Sequence, residues 1–493
     1  MSFTNQAGDL GSFDEVVPDA ARLGAPSRSS ILTQRRRCRI VPQSGMTYPA
    51  GGNSQISFIL ADQGGLVDMR SICINYTILV AATTSTAVCQ DDGHPFTTVQ
   101  VLVNGQLLDN IQNAMKLTNI EMKMGGSRSY YQGAGSLQGF ELLNPDLTTQ
   151  MPLAGASSTV AQCPQWGYVA NNTTDICTRQ KRTGAVVFNG IAGEQRSCPL
   201  GLISGVGRMA QYLPVSLLGE LQLTLITGSI GEVLFNSAAA DTTATYSLSQ
   251  VSLEYDVVVP STPYMSLLQH IAAEDGERGG LNLPFESSIV ASGGAIALSA
   301  TLQETSIVTS RATNHLLRTS VVQIPSLQLQ SLTTPSQSMF SHAGTYSVQW
   351  RVGSQTFPQV AAQGDASIFN MSLDAYGSVM QENGSVVNRC LWGQSTNTAS
   401  AGAPANYETA QADTGGSVKF AYGDSFIPSY GFRTVKGASQ PLDVDGISLA
   451  GASGSQLVTT IVSAPGVAYT PFVSMVALKF IKAKAGAVSV VGA

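Results

Sequence analysis

Four histidines, His94, His270, His315 and His342, are the first residues to ask about metal or acid–base chemistry. None stands in a His-x-x-x-His or Glu-x-x-His spacing that would bring two ligands to one face. His270 fits a packing or capping role in a short helix. The chain holds no Gly-x-Ser-x-Gly elbow and no phosphate-cradling Gly-rich loop ending in Lys-Ser/Thr. Gly205-Val206-Gly207-Arg208-Met209-Ala210 satisfies a loose Gly-x-Gly-x-x-Ala pattern, but Pro214 follows closely and no alternating strand–helix units surround it, so a dinucleotide site is not expected. The acid pairs Asp91-Asp92 and Glu274-Asp275 flank Gly and turn signals, the setting of solvated loop carboxylates. Seven cysteines (Cys38, Cys73, Cys89, Cys163, Cys177, Cys198, Cys390) are widely spaced without a Cys-x-x-Cys pair. That favours buried thiols in a reducing compartment, with a single staple among Cys163, Cys177 and Cys198 left open. Five sequons begin at Asn75, Asn171, Asn172, Asn370 and Asn383, and Asn75 lies inside an expected strand. The residues therefore predict no catalytic group, no cofactor and no metal.

What remains is a concentration of charge. Arg35, Arg36, Arg37 and Arg39 fall within five positions of a segment that holds no Lys. They are candidate inner-face or lattice contacts. Two readings stay open: a solvated start to an edge strand, or an arm touching DNA, another protein or a neighbouring assembly. The whole chain carries a net charge of −6, against a general nucleic-acid coating role, which needs a clustered cationic excess.

The elements that must position these arginines follow from composition and periodicity. With 493 residues the chain exceeds what one core usually serves. Only 12% of residues are charged while Gly, Ala, Ser and Thr abound; such a neutral, Lys-poor surface suits packing against copies of itself as well as it suits a secreted β protein. No stretch approaches 18 consecutive apolar residues, and the opening Met-Ser-Phe-Thr-Asn-Gln-Ala-Gly-Asp-Leu lacks a charged n-region and apolar h-region, so neither a membrane span nor conventional secretion is expected.

Period-two apolar runs separated by Gly, Asn, Pro and Ser clusters recur from residue 36 onward and predict a mostly β chain. Val99 to Leu108 is the clearest hairpin, with Val99, Val101 and Val103 running into an Asn104-Gly105 turn that tolerates positive φ. A short helix is expected from Asn113 to Met124, plugging the end of a sandwich. A polar excursion of about 60 residues, Gly125 to Gly184, follows. Tyr264 to Ala273 predicts a linker helix, and Glu274 to Gly280 a charged, Gly-rich connection. The second half repeats this grammar: Val348 to Phe357 aligns without gaps on Val99 to Leu108, 249 positions later, and a second excursion spans Asp374 to Gly416. The expected organisation is an arm (1–34), a first β domain (35–260), a linker (261–280), a second β domain (281–485) and a tail (486–493).

The sequence resembles the double jelly-roll major capsid proteins of eukaryotic double-stranded DNA viruses, of the virophage, polinton-like virus and adintovirus type, in motif order over residues 35 to 482. The likeness is carried by the basic entry strand Arg35 to Pro42, by Gly65-Leu66-Val67-Asp68-Met69-Arg70-Ser71, and by the Asn104-Gly105 hairpin with its trailing helix. Tyr212-Leu213-Pro214-Val215, Gly219 to Leu223, and Tyr246 to Val259 followed by a helix and Leu283-Pro284-Phe285 extend it. No single motif is diagnostic; their order is. The resemblance implies an all-β chain of two tandem eight-stranded jelly-roll β-sandwiches with a few short helices, and a homotrimer whose six jelly rolls imitate a hexagon and tile an icosahedral shell. It implies the long loops on the outer face and a virion location after assembly inside the host cell. The implied partners are other copies, penton and minor capsid proteins, and weak contact of the arm with genomic DNA. Deleting residues 1–39 would then leave trimers intact and impair the shell. The competing class is a non-enzymatic carbohydrate-binding or adhesin-like β-sandwich; a cupin-like enzyme would need clustered His ligands.

Overall fold

The computed structural model describes residues 32–126 (apart from 50, 82–86 and 90–92), 194–273 (apart from 210–211 and 237–244), 280–329 (apart from 298, 300 and 312), 346–377, 426–433, 446–449, 456–463 and 468–491 (apart from 485–486), with short pieces and single residues elsewhere. Most of both long polar excursions, the arm before residue 32, the acid pairs Asp91-Asp92 and Glu274-Asp275, and Cys163, Cys177 and Cys390 lie outside the described residues.

The first half folds as two facing sheets. Strands β1 (Leu32–Ile40), β2 (Gln55–Leu60), β3 (Leu66–Ala81), β4 (Phe96–Val103), β5 (Gln106–Gln112), β6 (Glu194–Pro199), β7 (Tyr212–Leu213), β8 (Leu221–Thr227) and β9 (Thr245–Pro260) are shared between the layers. One sheet has the order β1-β9-β3-β7, with β6 also paired to β3; the other is β2-β8-β4-β5. All these pairings are antiparallel. Alternation explains the placement. On β4, Phe96, Val99, Val101 and Val103 are buried while the residues between them are partly exposed, so one face enters the core and the other remains wet.

The second half repeats the arrangement with β10 (Leu281–Ser292), β11 (Gln303–Ser310), β12 (Leu316–Pro325), β13 (Tyr346–Val352), β14 (Gln355–Gln363), β15 (Ser429–Gly431), β16 (Gln456–Ser463) and β17 (Tyr469–Lys484). Its sheets are β10-β17-β12-β15 and β11-β16-β13-β14. These are the orders of the first half strand for strand, so the chain is two tandem eight-stranded jelly rolls. Between them, helix α2 (Thr262–Ala273) buries Tyr264, Leu268 and Ala272 at helical spacing. Trp350, fully buried on β13, anchors the second core, and one contiguous apolar cluster runs through both sandwiches.

The aligned hairpins occupy the same place. Asn104 and Gly105 both have positive φ, 48° and 75°, the geometry a two-residue hairpin with right-handed strand twist requires, and β4 and β13 hold corresponding positions in their sheets. The copies then part. Ile111 faces Val99, whereas Ala362 faces Val348, so β14 carries two residues more than β5 along the same span. The surplus is accommodated as a bulge that leaves Val360 81% exposed.

Several expectations need correction. Helix α1 (Ala114–Gly125) does not merely plug a sandwich end. Nine of its residues are buried, Lys116, Thr118 and Asn119 among them, because it lies between the sandwiches. Residues 487–491, expected as tail, form a further strand, β18 (Ala487–Val491), on β17, with Val488 and Val490 packed against the core. Arg35, Arg36, Arg37 and Arg39 take the edge-strand place of the two readings, and because β1 pairs with β9 from Leu32 to Ile40 the first β domain begins three residues before its expected start at 35.

Candidate functional site

Among the described residues no group of three or more His, Cys, Asp or Glu side chains lies close enough to hold a metal, and no helix is long and apolar enough to cross a membrane. Of the cysteines, Cys198 is buried and Cys38 and Cys73 half-buried, all three as free thiols. His94 is buried and held by a directional chain. Its Nδ1 accepts from the Phe96 N–H at 3.2 Å, so its Nε2–H donates to Thr118 Oγ1 at 2.8 Å, and Thr118 Oγ1 donates to the Leu202 carbonyl at 3.1 Å. Burial pushes its pKa down to about 3, which marks a neutral structural imidazole. The Gly-x-Gly-x-x-Ala segment is a short turn, Gly205–Arg208, driven against β10 of the second sandwich. A Cβ at Gly205 would lie 2.0 Å from the Glu286 carbonyl oxygen, so those glycines serve close packing of two domains.

The built site is this seam. It runs along β10, an edge strand of the second sandwich, and is approached from the first sandwich by β5, the Gly205–Arg208 turn and α1. At its centre five charged side chains interlock. Arg318 on β12 donates to Glu121 of α1; Arg433 donates to Glu286 on β10; Arg208 lies 3.5 Å from both carboxylates, and Arg318 3.9 Å from Glu286. The Arg318, Glu121 and Glu286 side chains are 9%, 11% and 16% exposed. Burial alone would push the Glu286 carboxyl up, but Arg318, Arg208 and Arg433 together outweigh it and hold it below the ordinary carboxylate value.

Beside this network, buried Asp109 of β5 accepts from Ser204 Oγ at 2.8 Å and from Ser287 Oγ of β10 at 2.9 Å, while Arg311 Nη2 donates to Ser287 Oγ at 2.6 Å. Burial raises the Asp109 pKa against those hydrogen bonds. Lys116 of α1, 3% exposed, donates to Gln337 Oε1 at 2.7 Å and sits 4.8 Å above the Phe472 ring of β17; burial brings it down to about 8. Farther along α1, Lys123 lies 5.5 Å from the Phe340 ring centre. Buried charges of this kind contribute little net stability, since desolvation consumes most of the attraction, but each has few geometries in which it is satisfied. The seam therefore fixes how the two sandwiches sit on each other.

Sequence reasoning missed Glu121, Arg208, Glu286, Arg318 and Arg433. The signal was a lone charge inside an apolar strand, as in Leu283-Pro284-Phe285-Glu286 and Leu316-Leu317-Arg318. It named the arginine strand instead, and the structure divides that strand in two. Arg35 is answered by Asp256 at 2.6 Å and Asp68 at 3.0 Å, and Arg37 by Glu254 at 2.7 Å. Both are surface pairs worth under about 1 kcal/mol each. Among the described residues Arg36 donates only to the Gln63 carbonyl, and Arg39, exposed on the edge strand, pairs with none of them.

No sequence-family model and no curated protein sequence matches the chain. Solved structures do. The PBCV-1 virus capsid gives a TM-score of 0.54 at 10% identity, covering 95% of this chain and 98% of that one. The Sputnik virophage structure gives 0.52 at 11%, covering 95% and 91%. The Faustovirus major capsid protein gives 0.52 at 9%, covering 98% of both chains. At such identities the likeness is one of fold: the double jelly roll, over nearly the full length of each protein.

Proposed function

We propose that this chain is a structural, non-enzymatic viral major capsid protein that forms homotrimers whose six jelly rolls approximate a hexagon and tile an icosahedral shell. The observation that carries the reading is the seam. Two sandwiches of identical strand order are locked edge to edge by buried ion pairs, giving a rigid two-lobed block, and three such blocks supply six similar lobes. The end-to-end fold likeness to capsid proteins supports it, as does a surface poor in Lys. The same reading places the protein in the virion after assembly in the host cell, with penton and minor capsid proteins as further partners. DNA contact by the arginine strand is the weakest element, because Arg35 and Arg37 are already matched by acids of the same chain.

Light scattering on the purified protein tests the assembly. A species of about 155 kDa, three times the 51.5 kDa chain, is expected at micromolar concentration; a stable monomer that binds glycans would support the adhesin class instead.

A further inference from the structure

Lys116 is a buried cation that no acid answers at close range. It stands on α1 of the first sandwich between Met115 and Leu117, which are buried as it is, and among the described residues it forms no ion pair. Its Nζ donates to the Gln337 side-chain carbonyl at 2.7 Å and lies 4.8 Å from the centre of the Phe472 ring. Glu232 acts on it only as a more distant charge. A neutral amide and a ring face do not compensate the desolvation of an ammonium group, and burial lowers its pKa to about 8. Near pH 7 about a tenth of the population is therefore the free amine, a nucleophile in place of a charge.

Gln337 brings an amide to that amine. It is 1% exposed and belongs to the connection between β12 and β13 of the second sandwich. Since a carbonyl bond spans about 1.2 Å, the 2.7 Å contact puts the Gln337 Cδ within about 3.9 Å of Nζ, near the roughly 3–3.5 Å of a reacting pair. Phe472 is itself buried, and this apolar wall shuts out the water that would compete for the amide.

We propose that Lys116 and Gln337 join in an intramolecular isopeptide bond, a covalent clasp between the two sandwiches across their seam. The neutral Nζ attacks Cδ of Gln337 and a C–N bond forms. One Nζ proton moves to Nε2, the Cδ–Nε2 bond breaks and ammonia leaves. No oxidant, reductant or outside co-reactant is needed. The bond connects positions 221 apart, so it closes a long loop and keeps the seam fastened where its ion pairs are screened or protonated. It lies within one chain and forms whatever the state of assembly.

The test is intact-mass spectrometry of the full chain, followed over days at about pH 7 and about pH 9, with peptide mapping of the product. Conversion should remove one ammonia, about 17 Da per chain, and should link the peptide that holds Lys116 to the peptide that holds Gln337. Lys116→Met and Gln337→Met should each abolish the loss with unchanged far-ultraviolet circular dichroism, and the clasped wild type should migrate faster than either on a denaturing gel. A wild-type mass that keeps its full value under both conditions would overturn the proposal. So would the same loss mapped elsewhere, for instance to a succinimide at Asn104-Gly105, or its persistence in Lys116→Met.

Discussion

Replacing Glu286 by Gln removes the carboxylate shared by three guanidinium groups while keeping side-chain size. Arg208 at 3.5 Å and Arg318 at 3.9 Å each interact with the carboxylate by about 4 kcal/mol at an effective dielectric near 20, and Arg433 is closer still. Opposing them, Gln avoids the several kcal/mol needed to desolvate a charged carboxylate. The variant leaves Arg208 and Arg318 sharing Glu121 and Arg433 facing a neutral amide, so the expected net loss is about 3 kcal/mol, at the lower end for breaking a buried pair from one side. Urea unfolding followed by tryptophan fluorescence reports it, because Trp350 is fully buried in the second sandwich. Acid titration adds a second reading. A depressed carboxyl contributes stability that is complete above its unfolded value, 4.5 for a Glu side chain, and is lost as pH falls through its folded value. Glu286→Gln should therefore flatten the stability loss below about pH 4.5. Arg433→Met should cost clearly less in the Glu286→Gln background than alone. A loss under about 1 kcal/mol, or additive double variants, would refute the idea that this network sets the seam.

Gly205→Ala should destabilise the seam by about 2–3 kcal/mol, read as a lower urea midpoint, since its Cβ would meet the Glu286 backbone at 2.0 Å and neither backbone can yield cheaply. His94 should contribute a pH slope of its own: its folded pKa is lowered from 6.5 to about 3, so stability is full above 6.5 and falls by about 1.4 kcal/mol per pH unit between those values. A His94→Gln variant that retains the slope would remove that assignment. Deleting residues 1–39 strips eight of the nine positions of β1 from its pairing with β9; melting curves should show the first sandwich destabilised, in contrast to the dispensable arm that the sequence suggests, and an unchanged melting temperature would count against the pairing.

Much of the architecture was readable because period-two burial writes itself into the chain. Val99, Val101 and Val103 with Asn104-Gly105 announce a hairpin, and its gapless copy at Val348 to Phe357 announces the second sandwich. The seam was not readable, since Glu121, Arg208, Glu286, Arg318 and Arg433 come from five separate stretches and become neighbours only after both sandwiches form. Helix α1 was misplaced for a related reason: Lys116 and Lys123 look like solvent-facing residues until the second sandwich covers them. The arginine strand was found as a cluster, but the acids that neutralise half of it, Asp68, Glu254 and Asp256, are distant in sequence and are delivered by sheet pairing.

The most direct test of the capsomer reading is negative-stain electron microscopy of the purified chain with two-dimensional averaging. Rings of six similar lobes, two from each of three chains, are the predicted result. Isolated two-lobed particles at all accessible concentrations would contradict it.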